Sequence, residues 1–225
     1  MFMPENLRTA DDERTVDVRV ANFTLEGTLA VPRGAQGLVL FAHGSGSSRH
    51  SPRNRFVASV LREGGLATLL LDLLTPAEEA VDQRTTEYRF DIGLLASRLA
   101  GATEWLGHFP ETRRLQLGYF GASTGAAAAL IAAAEQPGLV SAVVSRGGRP
   151  DLAGPALARV RAPTLLLVGA DDRQVISLNR EAYLALPGIK RLDLIPNATH
   201  LFEEPGALEL VAHRAREWFE QYLVL

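Results

Sequence analysis

The 225-residue chain has no cysteine, two methionines, two tryptophans and only 7% aromatic residues. Without cysteine it can form no disulfide, no thiolate metal site and no cysteine nucleophile, and its redox compartment is left open. It also lacks a surplus of positive charge, because 23 Lys and Arg stand against 26 Asp and Glu, a formal net charge of −3. With no overall basic field, neither nucleic acid nor an anionic membrane is the expected partner, and a small molecule is. No run approaches the roughly 18 uncharged apolar residues that a membrane-spanning helix needs. Met1 to Thr15 holds Glu5, Asp11, Asp12 and Glu13 and no apolar segment, so it does not read as a secretory signal; a cytoplasmic location is the expectation.

What is there is the composition of a globular protein, 47% hydrophobic and 22% charged. At this size roughly 70% of the unfolded surface can be buried, which suits one α/β domain over 15–225 behind an N-terminal extension of 1–14. Val16, Val18 and Val20 alternate with polar or small residues and Phe23, Leu25 and Leu29 follow a short break, predicting a leading antiparallel hairpin over Thr15–Val31. Beyond Pro32, continuous apolar runs at Leu38–Ala42, Ala67–Leu74, Leu115–Phe120, Leu139–Val144 and Thr164–Val168 suit parallel strands covered on both faces, and Arg191–Ile195 suits one with an exposed side. Helical patterns lie between them. The first has Ser51 as N-cap, Pro52 at the first helical position and Gly64 as its stop. Ile92 to Leu106, Ala126 to Ala134 and Leu208 to Tyr222 carry the others. Such alternation implies a mostly parallel twisted sheet with helices on both faces, an antiparallel leading edge and no cap domain. Thr75 to Arg89 has no clear periodicity and is expected to be a solvated polar loop.

Gly121-Ala122-Ser123-Thr124-Gly125 joins an apolar strand to an alanine-rich helix. That is the G-x-S-x-G nucleophile elbow in its required context, presenting the serine hydroxyl above the sheet at a helix N-terminus. Serine needs a base, and His43, His50, His108, His200 and His213 are the five candidates. His200 ends the loop after the last expected strand, on the same sheet edge as Ser123. His108 and His213 fall within or near helix ends, His50 in a loop, and His43 is expected to brace the loop that it opens. The acid should come from another strand end: Asp172, in Gly169-Ala170-Asp171-Asp172, is the choice, with Asp171 as a turn or helix-cap residue, Asp151 as the rival and Asp72 as structural. The catalytic set is therefore Ser123, Asp172 and His200, in that chain order. His43-Gly44-Ser45-Gly46 follows another strand, so the Thr124 and Ser45 N–H groups are the expected oxyanion donors, with Gly46 as fallback.

Through His43-Gly44-Ser45-Gly46, the Ser123 elbow, Gly169-x-x-Asp172-x-x-Val175 and His200, the sequence resembles the α/β-hydrolase superfamily, and within it the small, capless dienelactone-hydrolase-like proteins, from about Val16 to the C-terminus. Dienelactone hydrolases proper use cysteine where this chain has Ser123, so their substrate is not carried over. Haloalkane dehalogenases would need an aspartate there. The expectation is a serine carboxylesterase cleaving small acyl esters or lactones through an acyl-enzyme, with no metal and no organic cofactor. An acyltransferase or perhydrolase using the same residues, and a non-catalytic interaction module on the same fold, are the alternatives. Gly46, Arg49, Arg53, Arg146 and Arg149 are the candidate substrate-binding residues, the arginines for an anionic substrate group.

Overall fold

A computed structural model describes residues 13–224. The expected extension 1–14 lies outside the described residues as far as residue 12. From there, β1 (Arg14–Val20) and β2 (Phe23–Ala30) form the antiparallel hairpin, joined by β3 (Gly37–Ala42), β4 (Leu66–Leu71), β5 (Gln116–Ala122), β6 (Val140–Arg146), β7 (Thr164–Gly169) and β8 (Lys190–Ile195). The order across the sheet is β1-β2-β4-β3-β5-β6-β7-β8, with β2 antiparallel to β4 and every later pairing parallel.

Strands covered on both faces explain the continuous apolar runs: all six residues of β3, β4 and β7 are buried, whereas edge strand β8 is mixed. Alternate side chains feed two cores. Leu38, Leu40 and Ala42 of β3 join one, and Val39 and Phe41 the other. Helices α1 (Pro52–Glu63) and α6 (Ala207–Leu223) pack on the second face, and α3 (Ile92–His108), α4 (Thr124–Glu135) and the 3-10 segment Pro150–Arg159 on the first, with α5 (Arg173–Ala185) against that segment. Among the described residues, no helix is long and apolar enough to cross a membrane.

Local chemistry sets the helix ends. The Ser51 hydroxyl accepts from the Asn54 N–H, Pro52 opens α1, and Gly64 follows its last residue. The solvated loop expected over 75–89 is instead a helix, α2 (Pro76–Thr85). A reciprocal capping box starts it: the Glu78 N–H donates to the Thr75 hydroxyl, and the Thr75 N–H to the Glu78 carboxylate. What α2 buries is polar. Asp82 accepts from the Tyr88 and Arg89 N–H groups and from the Arg89 guanidinium, and Glu78 pairs with buried Arg98.

The chain leaves β3 to form β4 on one side and later returns to place β5 on the other. The loops after β3 and β5 therefore diverge at a crevice above the strand carboxyl ends, the switch point at which open α/β sheets bind ligands.

Candidate active site

Ser123 sits in this crevice with φ 51° and ψ −122°, a left-handed conformation that a β-carbon disfavours and that the surrounding backbone enforces. Its N–H donates to the Arg146 carbonyl, and its own carbonyl accepts from the Ala126 and Arg149 N–H groups. The elbow requires its glycines. A β-carbon on Gly121 would lie 2.4 Å from the Ala126 Cα, and one on Gly125 would lie 2.3 Å from the Ala42 carbonyl oxygen. Thr124 opens α4, so its N–H belongs to the first turn, where no helical carbonyl is available, beside the positive end of the helix.

His200 stands in the loop after β8, bracketed by two further left-handed residues, Asn197 (φ 53°) and Phe202 (φ 55°). Its Nδ1 lies 2.8 Å from Asp172 Oδ2. Asp172 Oδ1 accepts from the Val175 N–H, so Asp172 is itself the N-cap of α5. The capping role expected of Asp171 thus belongs to the acid facing His200, because the carboxylate has two oxygens and the strand-to-helix turn aims one at each task. The rival acid, Asp151, is held by both arms of Arg149.

The other histidines are accounted for. His43 is buried; its Nδ1–H donates to the Gly44 carbonyl and its Nε2 accepts from the Leu73 N–H, which fixes a neutral tautomer. Burial lowers its pKa below the usual 6.5, outweighing the Gly44 hydrogen bond and the Asp72 charge. It braces the loop. His108 caps the Glu104 carbonyl on α3, and His50 and His213 are exposed.

A solvent-open cavity of about 250 Å3 is lined by Ser123, His200, Gly44, Ser45, Arg53 and Arg146, among others. Gly46 faces a neighbouring cleft beside Asp82 and Arg89. Of the five candidate substrate-binding residues, only Arg53 and Arg146 line the cavity that holds Ser123; Arg149 touches Ser123 through its backbone N–H alone. Arg49 is held by Asp72 and Glu26, and Arg149 by Asp151, so carboxylates of the chain balance both charges. Arg146 is different: it is 8% exposed, and its Nε and Nη1 have no hydrogen-bond partner. Burial, with the nearby Arg53 charge, lowers its pKa to about 10.

Two features escape the sequence reading. The Ser45 N–H, expected to face the oxyanion, donates to the Thr124 hydroxyl at 2.9 Å. Nothing in a sequence reveals this contact, which joins loops 79 positions apart. Glu204 accepts from both the N–H and the hydroxyl of Thr199, tying down the residue before His200. Those hydrogen bonds, the Thr199 hydroxyl first, hold its carboxyl below the usual range. An acidic residue shortly after the histidine was the available signal.

Sheet order, crevice and elbow define the α/β-hydrolase fold. The chain is 63% identical to the dienelactone hydrolase from Anabaena variabilis, whose solved structure superposes with a TM-score of 0.94 and covers 95% of this chain and 99% of that one. The chain belongs to the dienelactone-hydrolase-like family of α/β-hydrolases. The esterase Pf2001 from Pyrococcus furiosus shares the fold at 17% identity and a TM-score of 0.73, covering 95% and 94% of the two chains. Two curated Mycobacterium tuberculosis proteins, provisionally named phosphoribosyl transferases, are 56% identical over 211 residues, 94% of this chain. The chain spans about half of their length, 47%. No protein-family model matches it.

Proposed function

We propose that the protein is a serine carboxylesterase that cleaves small acyl esters or lactones through an acyl-enzyme. The reading rests on one observation above the others: His200, oriented by Asp172 at 2.8 Å, lines the same cavity as a serine on a strained strand-to-helix elbow. In the proposed sequence, His200 Nε2 takes the Ser123 proton as Oγ attacks the carbonyl carbon. Asp172 accepts from Nδ1–H throughout and stabilises the imidazolium without taking its proton. The developing oxyanion lies against the Thr124 N–H and the positive end of α4. Collapse releases the alcohol with the proton from His200. Water, deprotonated by the same imidazole, then attacks the acyl-enzyme and frees the acid and Ser123.

The transferase name belongs to relatives twice as long, whereas the hydrolase reading rests on residues of this chain. Labelling with a fluorophosphonate probe tests it: wild type should react stoichiometrically at Ser123, and Ser123→Ala should neither react nor retain p-nitrophenyl acetate hydrolysis above about 10⁻⁴ of wild type. A labelled or active alanine variant overturns the assignment.

A further inference from the structure

We propose that Arg146, Arg53 and the first turn of α1 form a subsite for a doubly charged oxyanionic group, such as a phosphate monoester, carried by the substrate. The proposal rests on the hydrolase reading for the word substrate, but not for the binding of the anion. Arg146 ends β6 and pairs with Ala122 of β5, one residue before Ser123, so the register sets its guanidinium beside the nucleophile. Among the described residues its guanidinium has one hydrogen-bond partner, Asn54 Oδ1 at the outer limit of 3.5 Å, and its apolar neighbour is the Phe202 ring, 5.9 Å away. No carboxylate among the described residues pairs with it, in contrast to Arg49, Arg89, Arg98 and Arg149. A buried cation on a cavity wall that no carboxylate balances is stabilised when an anion enters.

Arg53 reaches the same cavity from α1. Among the described residues its Nε is buried without a partner, and its one ion pair is with exposed Glu203 at 3.3 Å. Ser51, Arg53 and Asn54 bring the first turn of this 12-residue helix to the cavity wall, and no acidic residue in that turn neutralises its positive end. Two guanidinium groups and a helix N-terminus present more charge than one carboxylate balances. A planar carboxylate satisfies one guanidinium fork, whereas a phosphate has three terminal oxygens, enough for both arginines and the backbone.

Calorimetric titration at low ionic strength with inorganic phosphate and, in parallel, acetate tests the subsite without using turnover. Wild type should bind phosphate saturably and about tenfold or more tighter than acetate, and Arg146→Met and Arg53→Gln should each weaken phosphate by about tenfold or more. Arg53→Gln, at a half-exposed side chain, keeps the test valid should Arg146→Met fail to fold. Absence of saturable phosphate binding, or wild-type affinity in Arg53→Gln, overturns the subsite, and acetate binding as tightly as phosphate overturns the dianion. Phosphate binding by a protein that no fluorophosphonate labels would leave the subsite standing and remove the hydrolase reading.

Discussion

The Ser45 N–H donates to the Thr124 hydroxyl across 2.9 Å, linking the loop after β3 to the residue that follows the proposed nucleophile. Both residues supply candidate oxyanion donors through their backbones, so the side-chain hydroxyl of one sets the position of the other's N–H. An oxyanion must then share the Ser45 hydrogen or draw it away, while the Thr124 N–H faces no such competitor. Thr124→Val keeps the shape and removes the acceptor. Loosening the loop should lower kcat on p-nitrophenyl acetate about tenfold with little change in KM, less than the 10²–10³ that follows loss of an oxyanion donor itself. A valine variant faster than wild type would mean that the hydroxyl blocks the hole.

Asp172 serves two partners, with Oδ1 on the Val175 N–H and Oδ2 on His200 Nδ1. The tasks separate by substitution. Asparagine still caps a helix but cannot hold the required imidazole tautomer, so Asp172→Asn should cost about 10⁴ in kcat while denaturant stability changes little. Asp172→Ala loses the cap as well and should cost about 1 kcal/mol more stability. Urea unfolding alongside esterase kinetics checks both. Should Asp151→Asn instead prove the damaging change, the acid has been misassigned.

These partnerships mark where the sequence is and is not legible. The start of α1 is written in Ser51-Pro52 because capping is local, and the strands fall within about two residues of their apolar runs because both sheet faces are covered, though the run begun at Ala67 ends with β4 at Leu71. The elbow is legible because its pattern lies within one strand-turn-helix unit, where Gly121 answers the local approach of Ala126, although Gly125 answers the Ala42 carbonyl of β3. Helix α2 is not visible in apolar periodicity because the residue it buries is Asp82, although Thr75-Pro76-Ala77-Glu78 spells its capping box. The fates of the arginines are illegible for a different reason. Arg49 meets Glu26 and Asp72 through strands brought together only by the sheet, so a basic stretch in sequence dissolves into separate ion pairs, leaving Arg53 and Arg146 at the cavity.

His43 gives the stability a pH dependence whose sign follows from its burial. Its folded pKa lies below the usual 6.5, so below about pH 6.5 the unfolded chain binds a proton that the folded chain resists. Stability therefore falls as pH drops through that window toward the folded pKa, and above it the imidazole is neutral in both states and contributes no slope. His43→Gln should be less stable at neutral pH, through loss of the Gly44 and Leu73 hydrogen bonds, yet lose less further stability between pH 7.5 and 5 than wild type. Urea unfolding of both proteins at the two pH values measures the difference. Equal losses would assign the acid sensitivity to other groups.

Under the proposed esterase reading, the cavity should also limit the size of the acyl group. About 250 Å3 is below the roughly 300–1,000 Å3 of pockets that enclose drug-sized ligands. Its walls include Ser45, Ser51, Asn54, Arg53 and Arg146, with Ala122 and Leu201 as apolar contributions. A lengthening alkyl chain would cover polar groups that water otherwise solvates, and that loss offsets the roughly 0.8 kcal/mol gained per buried methylene. For p-nitrophenyl esters, kcat/KM should therefore be highest for acetate to butyrate and fall at least about tenfold by octanoate, with no jump at the micelle threshold. The fall should appear mainly in kcat, because a chain too long for the apolar part of the wall can still adsorb at the open mouth but draws the carbonyl away from Ser123. A rate that rises with chain length would show that an apolar channel opens beyond the walls described, and would exclude the short-acyl preference.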